Sequence, residues 1–318
     1  MWYDGVMIDM EQNMTATEQA ALRLREVIDP ARVRAHEPMK LHTTFRVGGP
    51  ADLFLTPATV EEAARAIAIC REYGLPMLIT GNGSNLLVRD GGIRGAVLHF
   101  GRDFRAITAD DTHLTAQAGA LLPEVAAEAW RLGLTGMEFA SGIPGSVGGA
   151  VAMNAGAYGG QMADLVECVT ATTPEGDIVE YCGPDLRFGY RHSRVQDERL
   201  IVLTATLGLQ RGDLAESRRL IDEYTAQRQS KQPLEKPSAG SFFKRPPGFF
   251  AGKLIEDAGL KGLSVGRARV SEKHAGFLVN DGGDSAADVL ALADEVRRRV
   301  RERFGVELEC EVRIVGED

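Results

Sequence analysis

The stretch Ser141–Gly160, SGIPGSVGGAVAMNAGAYGG, constrains this chain more than any other segment. Gly142, Gly145, Gly148 and Gly149 fall between apolar residues such as Ile143 and Val147. Glycine adopts positive φ at no steric cost and lets backbone approach a ligand closely. Successive free N–H groups then form a concavity that binds anions. Two shorter segments share this character: Arg46-Val47-Gly48-Gly49, and Gly81–Asn85 with the sequence GNGSN. Ordinary tight turns are the alternative for each segment, most of all for the first. The G-x-G-x-x-G fingerprint of the Rossmann fold is absent, since Gly81-Asn82-Gly83 continues as Ser84-Asn85-Leu86, and no Walker A loop occurs. The three segments therefore predict a pyrophosphate-bearing cofactor held by some other fold.

A chain of 318 residues, 44% hydrophobic and 25% charged, allows two or three domains with sizeable cores. The formal net charge of −9 repels nucleic-acid backbones and anionic lipid, so neither is expected as a partner. Local Arg and Lys clusters still permit small anions. Cys70, Cys168, Cys182 and Cys310 form no CxxC pair and lie mostly in or beside apolar runs. Reduced, buried thiols are expected, with neither a disulfide framework nor a metal site. No apolar run reaches the roughly 18 residues of a membrane span. The acidic N-terminus lacks a signal-peptide core, which points to the cytoplasm.

Residues 1–35 read as an N-terminal extension open to disorder, with weak helical periodicity over Thr17–Ile28 and alternative starts at Met7, Met10 and Met14. From Ala51 the pattern is strand (Ala51–Leu55), helix (Val60–Tyr73) and strand (Pro76–Ile79), then LLV at Leu86–Val88 and AVLHF at Ala96–Phe100. A strand at Leu114–Gly119 and a helix at Glu124–Leu132 precede the glycine-rich stretch. Two runs around PEGD (Pro174–Asp177) read as a hairpin, and Arg199–Gln210 as a strand. A domain boundary near Gly212 separates residues 36–212 from 213–318. The last third carries helices at Leu214–Gln229, Ala251–Ala258 and Ser285–Arg303, and short strands near Leu263–Val270 and Gly276–Val279. The helix Ser285–Arg303 buries Val289, Leu292, Ala293, Val296 and Val300. The final strand, Val306–Val315, alternates, with Val306, Leu308, Cys310, Val312 and Ile314 on one face.

Seven segments together resemble the UDP-N-acetylenolpyruvoylglucosamine reductase family: HTTFRVGG (His42–Gly49), TGNGSNLLV (Thr80–Val88), SGIPGSVGGAVAMNAGAYG (Ser141–Gly159), FGYRHS (Phe188–Ser193), PSAGSFFKRP (Pro237–Pro246), SEKHAGFLVN (Ser271–Asn280) and LECEV (Leu308–Val312). They cover the chain from about residue 36 to its end. The resemblance implies an α+β protein: a two-subdomain FAD-binding fold of the vanillyl-alcohol-oxidase (PCMH) type over 36–212, then an α/β substrate-binding domain over 213–318. The compact run Tyr190–Ser241 looks like the family's shorter form, without its tyrosine-bearing loop. FAD would be non-covalent, NADPH the electron donor, and UDP-N-acetylglucosamine enolpyruvate the substrate, reduced to UDP-N-acetylmuramate for peptidoglycan. A monomer is expected.

The reaction needs a cation for the charge that builds beside the substrate carboxylate, and an acid to protonate the adjacent carbon. The resemblance assigns Arg191, chosen over Arg187 and Arg194 by the motif alone. It assigns Ser241 as proton donor; from the residues around it, Ser238 is the second candidate, Lys244 a candidate helper, and Phe242 and Phe243 can wall off water. It assigns Glu311, which periodicity cannot separate from Glu307 and Glu309. At the cofactor it places Arg46, Gly48, Gly49, Gly81, Asn82, Gly83, Ser84, Asn85, Ser141, Gly142, Ile143, Pro144, Gly145, Gly148, Gly149, Ala150, Asn154 and Gly156. Tyr190, Arg228, Lys231, Lys253, Lys273 and His274 are expected at the substrate, although each cation could be an ordinary surface charge. A flavoprotein oxidase of the same fold is the alternative, weakened because the two longer glycine loops hold no His or Cys to tether flavin. A non-catalytic flavin- or nucleotide-sugar-binding protein would lack the Arg191, Ser241 and Glu311 set.

Overall fold

The computed structural model describes residues 14–318. Met7, Met10 and the rest of 1–13 lie outside the described residues. The first sheet runs in the order Val33–Pro38, Pro50–Leu55, Ile93–His99, Met77–Thr80, antiparallel at the first pair and parallel at the other two. The parallel pairing requires a crossover, and the helix Val60–Glu72 supplies it. Thr59 caps that helix by accepting from Glu62 N at 3.1 Å, and Ala63, Ala66, Ile67 and Cys70 bury its inner face. The edge strand Val33–Pro38 was not readable beforehand, because VRAHEP turns little into the core and shows no alternation.

The N-terminal segment departs from expectation. A capped helix at Ala16–Leu24 buries Ala20, Leu24 and, beyond it, Ile28 in the same cluster as the helix Val60–Glu72. Arg32 clamps Glu62 with two hydrogen bonds of 2.9 Å. The sequence after Thr15 is thus part of the first subdomain's core.

The second sheet is antiparallel throughout, in the order Ile178–Cys182, Val166–Thr172, Ile201–Gly208, His113–Gln117, Ile107–Asp110. Val169, Ala171, Leu203, Ala205, Leu207, Leu114 and Ala116 point inward, onto the helices Leu122–Arg131 and Val147–Ala152. Cys168, Thr170, Thr204, Thr206 and Thr115 alternate outward. Here the expectation for cysteine fails. Cys168 and Cys182 are directly opposed on adjacent strands and form a disulfide, leaving Cys70 and Cys310 free. Strand register, which the apolar neighbours of each cysteine do not reveal, brings the two together.

The third unit packs the helices Ala251–Asp257 and Ala286–Phe304 on a small sheet, Ser264–Val265, Ala268–Val270 and Leu278–Asn280. Val289, Leu292, Ala293, Val296 and Val300 face its core as the three- and four-residue spacing requires. The expected long final strand is shorter. Only Arg313–Val315 is strand, running parallel to Leu86–Val88, while Cys310 makes an isolated bridge to Phe243. This last strand brings the chain's end back to the Gly81–Asn85 loop. No helix of the described residues is long and apolar enough to cross a membrane.

Candidate active site

The three glycine segments converge. Thr44 N donates to Gly83 O at 3.3 Å, and Asn82 Nδ2 donates to Pro144 O at 2.7 Å. The long loop is itself pinned to the turn before the helix Leu122–Arg131: Val147 N donates to Ala120 O, Gly148 N to Ala118 O, and Leu122 N to Gly145 O, all within 3.0 Å. These bonds explain a short helix, Val147–Ala152, inside a sequence of poor helix formers.

The glycines do not all serve one purpose. A Cβ on Gly49 would lie 2.0 Å from Asp90 O, on Gly81 1.9 Å from Ser146 Oγ, and on Gly83, at φ +62°, 2.2 Å from His42 O. Gly48 and Gly148 would meet Val88 at 2.7 Å and Ala118 at 3.0 Å. Close packing of the chain on itself accounts for those five. Gly145 and Gly149 differ, since the nearest atoms would be 3.8 Å and 3.7 Å away. Nothing among the described residues demands glycine at these two positions, whereas a group lying close against the backbone would. The loop therefore fits a pyrophosphate at Gly145 and Gly149.

Several expected cofactor residues are occupied in holding the site together. Ser141 Oγ donates to Glu138 O at 2.8 Å. Asn85 Nδ2 donates to Glu311 O at 3.2 Å, and Asn85 O accepts from Arg313 N. Gly156 packs against Gly160, and Ala150 N closes the helix on Ser146 O. Asn154 is only 4% exposed, and its amide is fully used: it donates to Gln161 Oε1 and Gly189 O and accepts from Ala163 N. Its work is to hold the turn that carries Arg191.

That turn is tight. Gly189 and His192 exchange N–H···O bonds of 3.0 and 3.2 Å, leaving Tyr190 and Arg191 at the tip with Arg191 at φ +55°. Gln196 Nε2 on Arg191 O and Ser193 Oγ on Ala152 O fix it from the other side. Arg191 Nε then donates to Glu311 Oε1 at 2.6 Å, across 120 residues of sequence. The Glu311 side chain is 15% exposed, against 54% for Glu307 and 74% for Glu309. Geometry thus separates three glutamates that periodicity could not. Tyr190 is exposed, with its ring centroid 5.2 Å from the Arg191 guanidinium carbon.

Ser241 lies beside this pair in the backbone network. Glu311 N donates to Phe242 O at 2.9 Å, and Ser241 bridges to Phe277. Phe242 and Phe243 are buried in the C-terminal core, so they anchor Ser241 and leave it exposed. Lys244 Nζ pairs with Glu309 at 3.3 Å. Ser238 offers its carbonyl to Thr44 Oγ1 at 2.6 Å, which ties its motif to the first glycine segment.

Among the expected substrate cations, Arg228 stands apart. It is half-buried, its guanidinium makes no hydrogen bond or ion pair among the described residues, and its side chain reaches to 3.1 Å from the Cβ position of Gly142. Burial lowers its pKa, yet a guanidinium stays charged. Lys253 and Lys273 are exposed and pair with Asp257 and Glu235, and Lys231 is exposed. His274 accepts from Gly276 N within its own turn, and burial lowers its pKa. Arg46 is exposed with φ +57°.

The sequence reading missed a polar cluster behind the Gly81–Asn85 loop. His42 Nε2 meets Glu37 Oε1 at 2.7 Å and stacks on Phe54, while Thr80 Oγ1 meets His99 Nδ1 at 3.2 Å. Burial, and then the nearby His42, push the His99 pKa down to about 4. His42 lay in a recognised motif, but His99 carried no signal. Also unread were two anchors of the C-terminal unit: Asn280 Nδ2 on Phe45 O, and Asp90 accepting from Ser285, Ala286 and Ala287 at the start of the long helix.

Comparison with known proteins gives this site a family. Residues 51–181 match an FAD binding domain, and residues 232–315 match the C-terminal domain of UDP-N-acetylenolpyruvoylglucosamine reductase. The reductase of that name from Heliobacterium modesticaldum is 53% identical over 88% of this chain and 90% of its own. The one from Geobacillus kaustophilus is 47% identical over 96% of this chain and all of its own. The crystal structure of UDP-N-acetylenolpyruvylglucosamine reductase from Thermus caldophilus superposes with a TM-score of 0.77 at 41% identity, covering 89% of this chain and 99% of that one. A glycine-lined FAD-binding domain closed by a C-terminal unit is thus shared along nearly the whole length, and the chain belongs to the UDP-N-acetylenolpyruvoylglucosamine reductase family.

Proposed function

We propose that this protein reduces the enolpyruvyl ether of UDP-N-acetylglucosamine enolpyruvate to UDP-N-acetylmuramate, a peptidoglycan precursor, using NADPH and non-covalently held FAD. The observation that carries this reading is the Arg191–Glu311 pair, drawn from distant parts of the chain and joined by the Glu311 N to Phe242 O bond to the residue next to Ser241. Bound FAD supplies the two-electron chemistry that side chains lack. Gly145 and Gly149 admit its pyrophosphate, and the unpaired Arg228 supplies a cation beside the same loop despite the acidic net charge.

Reduction at the methylene carbon leaves negative charge on the adjacent carbon and its carboxylate. Arg191 keeps its charge throughout, and Glu311 orients the guanidinium, so the developing charge meets a preorganised cation. Ser241 O–H gives its proton to the adjacent carbon, and the serine, being exposed, recovers a proton from water. We assign residues 36–212 to flavin binding and 213–318 to the substrate. We further infer a cytoplasmic monomer with no nucleic-acid or membrane partner. Purified protein incubated with NADPH and the enolpyruvyl sugar should form UDP-N-acetylmuramate, detected by mass spectrometry, with one NADPH consumed per product. NADPH oxidation that tracks oxygen uptake and ignores the sugar would replace this reading with an oxidase.

A further inference from the structure

The outer face of the second sheet lies outside the site described above. Its edge strand, Ile178–Cys182, is held by backbone pairing to Val166–Thr172 alone. Cys182 is exposed and Cys168 half-buried. They are directly opposed in the strand register, with Cα atoms 4.1 Å apart, so strand pairing itself brings the sulfurs together. The same register keeps the two facing each other when the bond is open. The remaining cysteines contrast with this pair. Cys70 is buried and its thiol is pushed up to about 12, and burial also raises Cys310. Glu180, two residues before Cys182 on the same face, brings a carboxylate oxygen within 4.8 Å of both sulfurs. A neutral disulfide sits beside that carboxylate without like-charge repulsion, whereas a thiolate would not. Joined sulfurs offer no thiolate, so the cluster is not a cation site in this state.

We propose that Cys168 and Cys182 form a reversible redox-modification site that exchanges with low-molecular-weight thiols and disulfides. Oxidation begins when the exposed Cys182 sulfur cleaves a small disulfide, forming a mixed disulfide and releasing one small thiol. Cys168 then displaces the second small thiol as the Sγ–Sγ bond closes. The protein gives up two protons and two electrons in all, and the small disulfide takes up both to become two thiols. The bond crosslinks an edge hairpin of 14-residue separation, so its consequence is cohesion of the strand that leads toward Phe188–Ser193.

The native, flavin-loaded protein should be equilibrated in glutathione buffers of graded oxidised fraction, quenched in acid and alkylated after unfolding. Peptide mass spectrometry should show Cys168 and Cys182 losing alkylation together, with Cys70 and Cys310 unchanged. Returning the native protein to reduced glutathione should restore both. The oxidised form should melt about 5 °C above the reduced form. In Cys182→Ser, a conservative change at an exposed position, that difference should vanish, and Cys168 should carry a single glutathione adduct in oxidising buffer. Full alkylation of both residues across the whole series would overturn the proposal. So would a bond that resists excess reduced glutathione in the native protein, since that describes a permanent crosslink.

Discussion

The Gly81–Asn85 loop and the Gly142–Gly149 loop look alike in sequence and differ in kind. In the first, Gly81 and Gly83 are glycine because the chain crosses itself there, against Ser146 and the His42 carbonyl. In the second, Gly145 and Gly149 have room for a side chain, and close approach of the proposed pyrophosphate would account for glycine there. Glycine richness alone therefore does not mark a binding loop. The discriminating question is what an added methyl would strike.

That contrast can be broken by mutation. Gly83→Ala forces a Cβ into the His42 carbonyl at positive φ, a conflict that backbone cannot yield to cheaply. The apo-protein should lose about 3 kcal/mol of stability in urea. A loss under 1 kcal/mol would return this glycine to the ligand. Acid probes the same loop from behind. His99 is held neutral in the fold, with its pKa near 4 against an ordinary 6.5. The unfolded chain thus binds the extra proton between these values, so stability is complete above pH 6.5 and falls as pH drops toward 4. The loss should reach about 3 kcal/mol, and His99→Asn should flatten that part of the profile in urea titrations from pH 7 to pH 4.

Asn154→Ala strands the Ala163 N–H and leaves the Gly189 carbonyl with His192 N as its one remaining donor, at a cost of about 2 kcal/mol. Flavin occupancy should persist while turnover falls, because the turn under Arg191 loosens. Loss of flavin with normal turnover per bound flavin would restore Asn154 to the cofactor. The smallest stability change is the sharpest contrast. Gly149→Ala, inside a short helix with no clash, should leave the apo-protein equal or up to about 1 kcal/mol more stable, yet weaken FAD at least about tenfold. Thermal melts and flavin titration read the two effects separately. Unaltered FAD affinity would make Gly149 as structural as Gly83.

The sequence showed most of the fold wherever an element buries a regular face, as in the helices Val60–Glu72 and Ala286–Phe304. It failed at edges. Val33–Pro38 and Ile107–Asp110 are edge strands with few inward residues, and neither carries a pattern. Cys168 and Cys182 show the same limit, since alternation states which face a residue takes but not what stands opposite. At the site, motif matching named Arg191, Ser241 and Glu311. Asn154, Asn85 and Lys244 also engage Gly189, Glu311 and Glu309, partners that no local motif states because they lie far away in sequence. Arg228 is the reverse case, a cation resembling many surface arginines until burial without a partner sets it apart.

Proton delivery by Ser241 beside Arg191 and Glu311, as proposed, is tested most directly by anaerobic stopped-flow absorbance of Ser241→Ala at the flavin band. Flavin reduction by NADPH should proceed at nearly the wild-type rate, while reoxidation by the enolpyruvyl sugar slows by about 10²–10⁴-fold. Reduced flavin should accumulate and persist after sugar is added. If both half-reactions slow equally, or if Ser238→Ala shows this pattern and Ser241→Ala does not, the assignment of the proton donor is wrong.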